Sequence, residues 1–516
     1  MEQLLKKSER KEGYEIYASR WLMLLIFMFL SFNQSLFWLT FSPISIYSRE
    51  YFNLCNPNLN ASSYASCHRV NGQGQDDIDL MLAWGGIIYL MSVPFFIFFT
   101  FDKGLRTLLI FMSTLLVLGC ALRVLPHALS LLNASNGENY NLYIVHAAQI
   151  IFALTGPVAM ATPPRLSATW FAPSERLMAT ALASSSAFLG MAAGFAISTQ
   201  LVRSKDDIPN LLWIHLFLSG ASFIIVVLLF RDSPPMPPSA TAPTTVRRGR
   251  SDSNLDTRWK DFWYLFCDVN FGLLAFSGGI CVGVFNGWSA SLDSILTFFS
   301  AIECGWLGVA TTCAFILGNL FGGQIGERIP FTRSIQKEII FFFLFDLLLF
   351  LLALTFSLNF LGQEPLLPRT FDFVCVAITF AGFFLGSANP FLYELSVEMT
   401  YPISENVSAG VLTFWINFGK MTILIVKRFI HADAMNSVMS CTVVFGLLLI
   451  FFMSPRYNRL NEEREEKERK KRIPGLDSNG LYIGQVSNAN DMNVNYGAIK
   501  EHIVMDNGSD FNVGMQ

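Results

Sequence analysis

Apolar residues fall in twelve long runs between residues 21 and 453, divided mostly by short polar connections. The runs cover approximately 21–45, 79–101, 105–125, 142–163, 177–200, 210–230, 262–286, 302–324, 338–360, 371–393, 406–427 and 438–453. A hydrocarbon core about 30 Å thick takes roughly 20 apolar residues of helix, which these runs approach or exceed. No water reaches the backbone there, so each run predicts a helix. The pattern predicts an all-α membrane protein. The first run lacks a small-residue cleavage site and reaches span length, which reads as a retained first helix.

One connection, 231–261, is long and rich in Pro, Ser, Thr and Arg, as in Pro234-Pro235-Met236-Pro237-Pro238. Such a composition builds no core and predicts a flexible linker. It leaves six runs on each side. The expected organisation is an N-terminal segment 1–20, a six-helix bundle 21–230, the linker 231–261, a second six-helix bundle 262–453 and a mostly disordered tail 454–516. The tail opens on a charged run, Glu462-Glu463-Arg464-Glu465-Glu466-Lys467, which predicts a short solvated helix.

Composition agrees with a bilayer. The 516 residues are 52% hydrophobic and 15% charged, against about 25% charged in soluble domains. The six His are dispersed, and no Ser/His/Asp grouping, phosphate loop or metal-ligand spacing is present. Neither catalysis, a cofactor nor a metal is expected. Most of the nine Cys lie inside apolar runs, where Cys behaves as a small hydrophobe. Cys55 and Cys67 stand in the polar loop after the first run and can pair if that loop meets an oxidising compartment.

Orientation follows from Lys and Arg in short loops and tails. Lys6, Lys7, Arg10, Lys11 and Arg20 share a side with Lys103, Arg106, Arg165, Arg176, the linker arginines and the basic tail. Both termini are therefore expected in the cytoplasm. The glycosylation acceptors Asn60 and Asn133 then fall on the opposite side, with Cys55 and Cys67.

The two halves repeat. Trp170-Phe171-Ala172-Pro173-Ser174-Glu175-Arg176 precedes the fifth run, and Thr400-Tyr401-Pro402-Ile403-Ser404-Glu405 precedes the eleventh. A Pro recurs in each preceding run, Pro157 and Pro390. Six-plus-six spans with parallel repeats describe the major facilitator fold, whose solute site lies between the halves. Asp102, Arg106, Glu175, Arg176, Glu394 and Glu405 are expected to form ion pairs that latch the halves at the cytoplasmic face. The alternative is that they only anchor helix ends.

These stretches, together with Phe37-Trp38, Asp102-Lys103-Gly104-Leu105-Arg106, Gly156-Pro157, Gly283-Val284-Phe285-Asn286-Gly287-Trp288-Ser289, Tyr393-Glu394-Leu395 and Gly410-Val411-Leu412-Thr413-Phe414, carry a resemblance. Across most of 20–455 the chain resembles solute carrier family 49, the feline leukaemia virus subgroup C receptor-related transporters, and within it the branch called disrupted in renal carcinoma protein 2. The resemblance implies secondary transport of a small organic solute. Choline and ethanolamine are implied by the receptor-related members, for which haem export has also been proposed. Proton-driven export of pyridoxine from lysosomes is implied by the nearer branch. Where choline-type members carry Gln and an aromatic residue, this chain has Gly156 and Asn286, which turns the expectation toward the vitamin branch. A transporter-fold receptor or nutrient sensor remains the alternative from another class.

The resemblance places Trp38 and Asn417 at the solute site, with Gly156 at a site position and Asn286 and Trp288 flanking a glycine in the seventh run. An aromatic face suits a cation or a flat ring, although a Trp can equally pack in core or lipid. Gln149 is a further polar candidate. Acids inside membranes are costly, so Asp293 and Asp346 are candidate proton carriers, while Glu303 reads as a helix-start residue. Lys420 reads as a cavity-facing cation that repels cationic solutes, or as a structural pair. Tyr496-Gly497-Ala498-Ile499 has the spacing of a signal for a sorting adaptor. The expected partners are a small solute, protons and membrane lipid, with the chain a monomer in the lysosomal or, alternatively, plasma membrane.

Overall fold

A computed structural model describes residues 14–52, 54, 75–99, 103–131, 140–239, 241–242, 260, 263–265, 267–289, 292–296, 298–299, 301–328, 335–358, 365–426, 429–430 and 432–472. Cys55, Asn60, Cys67, Asp102, Asn133 and the Tyr496–Ile499 motif lie outside the described residues, and for Asp293 only the backbone is described. The chain forms two units, Met1–Glu463 and Arg464–Gln516. Everything below concerns the first.

Among the described residues, twelve helices are long and apolar enough to cross a membrane. In the first half these are α1 (Ser19–Trp38), α3 (Gln75–Phe99), α4 (Leu105–Leu131), α5 (Tyr140–Ala161), α7 (Arg176–Leu201) and α8 (Ile208–Leu229). Short helices α2 (Ser45–Tyr51) and α6 (Pro163–Trp170) lie between them. The second half has α9 (Val269–Ser289), the single turn α10 (Leu292–Ile295), α11 (Ala301–Arg328), α12 (Gln336–Leu358), α13 (Phe371–Thr400), α14 (Glu405–Val426) and α15 (Ala432–Phe452). Helix α16 begins at Asn458 and starts the tail.

In the first half α1 packs on α7, and α4 on α5 and α8. In the second, α9 packs on α14, α11 on α13, and α12 on α13 and α15. The halves meet chiefly where α7 lies against α11 and α3 against α14. Outer faces leave large apolar side chains bare: Met91 is 73% exposed, Phe217 76% and Leu228 72%. Water would penalise that surface, whereas lipid tails match it.

Four boundaries differ from the sequence reading, each for a local reason. Helix α1 stops at Trp38 instead of running to 45, because Ser42-Pro43 cannot continue it. Prolines at the start of α6 divide it from α5 at Thr162. Helix α13 continues to Thr400, so Glu394 lies within a helix rather than in a loop, and the pre-proline residue Tyr401 ends it. Helix α9 ends at Ser289, so Asp293 sits on the separate turn α10 and not on the seventh span.

Glycines set how closely α9 and α14 approach. A Cβ on Gly283 would lie 3.0 Å from the Lys420 nitrogen, and one on Gly287 would lie 2.9 Å from the Lys420 carbonyl oxygen. Small residues four apart let two membrane helices touch along their backbones. The α14 backbone at Lys420 is thus clamped by α9.

Candidate functional site

Helix α1 ends at Trp38, and its last carbonyls have no partner within the helix. Arg123 of α4 supplies one. Its Nη1 donates to the Phe37 carbonyl at 2.8 Å and to Thr40 Oγ1 at 3.3 Å, and its Nη2 donates to Gln149 Oε1 at 2.5 Å. Gln149 Nε2 in turn donates to the Trp38 carbonyl at 3.4 Å. The guanidinium lies over the rings of Phe152 at 4.3 Å and Phe41 at 4.9 Å. A cation at a helix C-terminus also meets the favourable end of the dipole. Gln149 is therefore a cap-supporting residue of the first half.

This cap holds Trp38 against the second half. Lys420 Nζ of α14 sits 4.3 Å from the Trp38 ring centroid, a cation–π contact across the junction. Trp38 Nε1 is buried without a hydrogen-bond partner. Helix α3 offers Gly85 and Gly86 here: a Cβ on Gly85 would fall within the indole, and one on Gly86 would meet Met421. Among the described residues no carboxylate pairs with either Lys420 or Arg123.

Further along, Tyr89 of α3 donates to Thr413 Oγ1 of α14 at 2.6 Å. Asn417 Nδ2 contacts Met160 Sδ at 3.5 Å and donates to the Thr413 carbonyl at 3.0 Å. Tyr393 donates to the Met160 carbonyl at 3.2 Å. Gly156 lies beside Tyr89, whose ring is 3.0 Å from where a Cβ would stand. Trp38, Gly156, Asn417 and Lys420 are thus all on the junction. Trp288 is not among them: its indole donates to Asn436 Oδ1 at 2.9 Å inside the second half. Asn286 is half-buried, with no side-chain hydrogen bond among the described residues. Asp346 rides on α12, which packs on α13 and α15 away from the junction.

The face carrying both ends of the bundle holds the acidic and basic residues, but they do not pair as loop with loop. Glu175 takes Arg20 at 3.0 Å within the first half. Arg106 joins α4 to the end of α8, its N–H donating to Asp232 at 2.9 Å and its Nη2 to the Val227 carbonyl at 2.8 Å. The partners of the others come from the tail. Arg459, 1% exposed, lies 3.9 Å from Glu394 and 4.0 Å from Glu405. Glu398 accepts the Leu460 N–H at 3.0 Å. Arg176 of the first half bonds Glu463 at 3.1 Å, and also Ser239 at 2.5 Å and Thr241 at 3.2 Å in the linker.

At the start of α16 Arg459, Leu460 and Glu463 are buried, while Glu462, Arg464 and Glu465 are exposed as the charged run predicts, and the linker is docked at Ser239 and Thr241. Burial pushes the Arg459 guanidinium pKa down, but Glu394, Glu405, Glu398 and Glu463 together raise it above its ordinary value, so the side chain stays charged.

Arg123, Arg459, Glu398 and Tyr89 were missed by sequence reasoning. Arg123 had a readable signal, a charge inside an apolar run. Arg459 had none, since it precedes a run of charges typical of solvated tails.

Two six-helix halves joined where α7 meets α11 and α3 meets α14, with a half-buried aromatic–cation pair between them, are the architecture of a membrane transporter. A family model described as Major Facilitator Superfamily matches residues 23–422, and the chain belongs to that superfamily. Its relatives include the solute carrier family 49 member 4 homolog of Xenopus laevis, 28% identical over 472 residues, covering 86% of this chain and 93% of that protein. The choline/ethanolamine transporter FLVCR1 of Mus musculus is 24% identical over 420 residues, covering 76% of this chain and 66% of that one. The chain is thus similar to solute carrier family 49 proteins, and its homologues and fold are those of Major Facilitator Superfamily transporters, not of enzymes. Among solved structures, the E. coli fucose:proton symporter FucP shares the fold with a TM-score of 0.59 at 13% identity, covering 85% of this chain and 100% of that one.

Proposed function

We propose that this transporter moves a small flat-ring organic solute, a vitamin such as pyridoxine, out of lysosomes with protons. The observation that carries the reading is the Trp38–Lys420 pair, contributed by opposite halves at their junction. An indole face receives a planar heterocycle, and Asn417 and Tyr89 supply donors and acceptors for ring substituents. A choline-like quaternary amine would meet the Lys420 ammonium at the same face, a like-charge encounter that opposes it.

In this reading both termini are cytoplasmic and the tail clasp closes the cytoplasmic mouth. Arg459 binds the acids of α13 and α14 while Glu463 holds Arg176 of α7, so the tail bridges the halves. Opening that mouth requires parting these contacts. Asp293 and Asp346 are the proposed proton carriers, with Asn286 beside the chamber and Trp288 held to Asn436 within the second half.

Counterflow in proteoliposomes with a labelled vitamin panel tests the reading. Exchange of pyridoxine that quickens with an acid interior supports it. Exchange of choline in preference to pyridoxine, or binding without exchange, replaces it with a choline-type carrier or a sensor.

A further inference from the structure

Two cations, the half-buried Lys420 and the buried Arg123, flank Trp38, and neither has a carboxylate partner among the described residues. Arg123 spends its donors on neutral groups, the Phe37 carbonyl, Thr40 and Gln149. Lys420 lies on the indole face alone. Gly85 packs against the Trp38 indole and Gly86 against Met421, the residue after Lys420, and none of these brings negative charge. Trp38 Nε1 adds an N–H donor, buried and unpartnered. A buried charge is normally compensated by a counter-charge, and a buried donor by an acceptor. Here both lacks occur within one side chain's width.

We propose that the Trp38–Lys420 pair is an anion-recognising subsite, and that the solute is a flat-ring organic acid whose carboxylate takes the Lys420 ammonium. This rests on the reading of the junction as the solute chamber, and moves its preferred flat-ring solute from the neutral vitamin to an acid of the same ring class. The ammonium offers three donors and no acceptor, the indole one donor and no acceptor. A two-oxygen carboxylate matches so small a set better than a phosphate dianion, which calls for more donors. When the carboxylate draws the ammonium off the indole, the freed face receives the ring. Arg123 acts at a distance, adding positive potential while it holds the α1 terminus. It is a positioning residue, not a contact.

The test compares two ligands with the same ring, pyridoxine and 4-pyridoxate, in which a hydroxymethyl group is replaced by a carboxylate, with benzoate as a ring-plus-carboxylate probe. Binding is measured on the purified full chain. The wild type is expected to bind 4-pyridoxate about tenfold or more tighter than pyridoxine. Lys420→Gln is expected to erase that preference, and Lys420→Arg to keep it. Equal wild-type affinities overturn the proposal without recourse to any variant, as does a preference that survives Lys420→Gln. Binding of pyridoxine with neither acid overturns the anion subsite and leaves the vitamin reading standing. Benzoate binding without either pyridine ligand supports the subsite and removes the vitamin. Binding of none of the three overturns both.

Discussion

Removing the Arg459 guanidinium should release the clasp at the mouth of the bundle. Arg459→Ala leaves Glu394 and Glu405 beside Glu398 in a site where Arg459 itself is only 1% exposed. Breaking a buried ion pair costs about 3–5 kcal/mol, because the remaining charge loses its compensation. The contacts at 3.9 and 4.0 Å are charge contacts and not two-pronged hydrogen bonds, which argues for the lower end. About 3 kcal/mol, at about 1.4 kcal/mol per factor of ten, shifts the balance toward the opened mouth roughly a hundredfold.

The assay is thiol labelling of Ala181→Cys in a chain whose native cysteines are replaced by Ser. Ala181 is 0% exposed, and its carbonyl accepts from Asn319 of the opposite half at 2.9 Å. Labelling should accelerate by at least tenfold in the Arg459→Ala background. Arg459→Lys, which keeps the charge, should restore most of the protection. Unchanged labelling together with an unchanged melting temperature would refute the clasp.

Other perturbations follow from single contacts. Trp38→Ala should abolish solute binding while folding and trafficking persist, and normal affinity in that variant removes Trp38 from the site. Arg123→Leu strands the Phe37 carbonyl and Gln149, at about 1.5–3 kcal/mol per charged hydrogen bond. A clear fall in melting temperature is expected, with no fall counting against the cap. Gly283→Leu forces a side chain into the α14 backbone and should destabilise by about 1–3 kcal/mol or prevent assembly; wild-type thermal stability would contradict that packing. Asp293→Asn should flatten the pH dependence of transport, whereas an unaltered profile excludes it as the proton carrier.

The span pattern was legible because bilayer length and backbone pairing act on every residue of a run, and they do not depend on partners. Boundaries were less legible where local chemistry intervened, as at Ser42-Pro43 and in the extension of α13 through Glu394 and Glu398 to Thr400. Those glutamates read as loop residues because their compensation comes from Arg459, a residue distant in sequence. Trp38, Asn417 and Lys420 were legible as polar or aromatic positions in apolar runs, and the structure places them together at the junction. Trp288 looked equivalent in sequence, and only its bond to Asn436 shows that it faces its own half. Arg459 illustrates the converse: burial of a tail residue leaves no periodic trace.

Trp38 is fastened to the first half through Gln149 and Arg123, while Lys420 is fastened to the second by the glycines of α9. Neither can follow the other when the halves swing apart. Their separation is thus a ruler for the working stroke, marked in a single distance. Pulling a half-buried ammonium from an indole takes on the order of 1 kcal/mol. A cargo that draws the ammonium away before the swing lowers that threshold, so loading and motion are joined at one side chain.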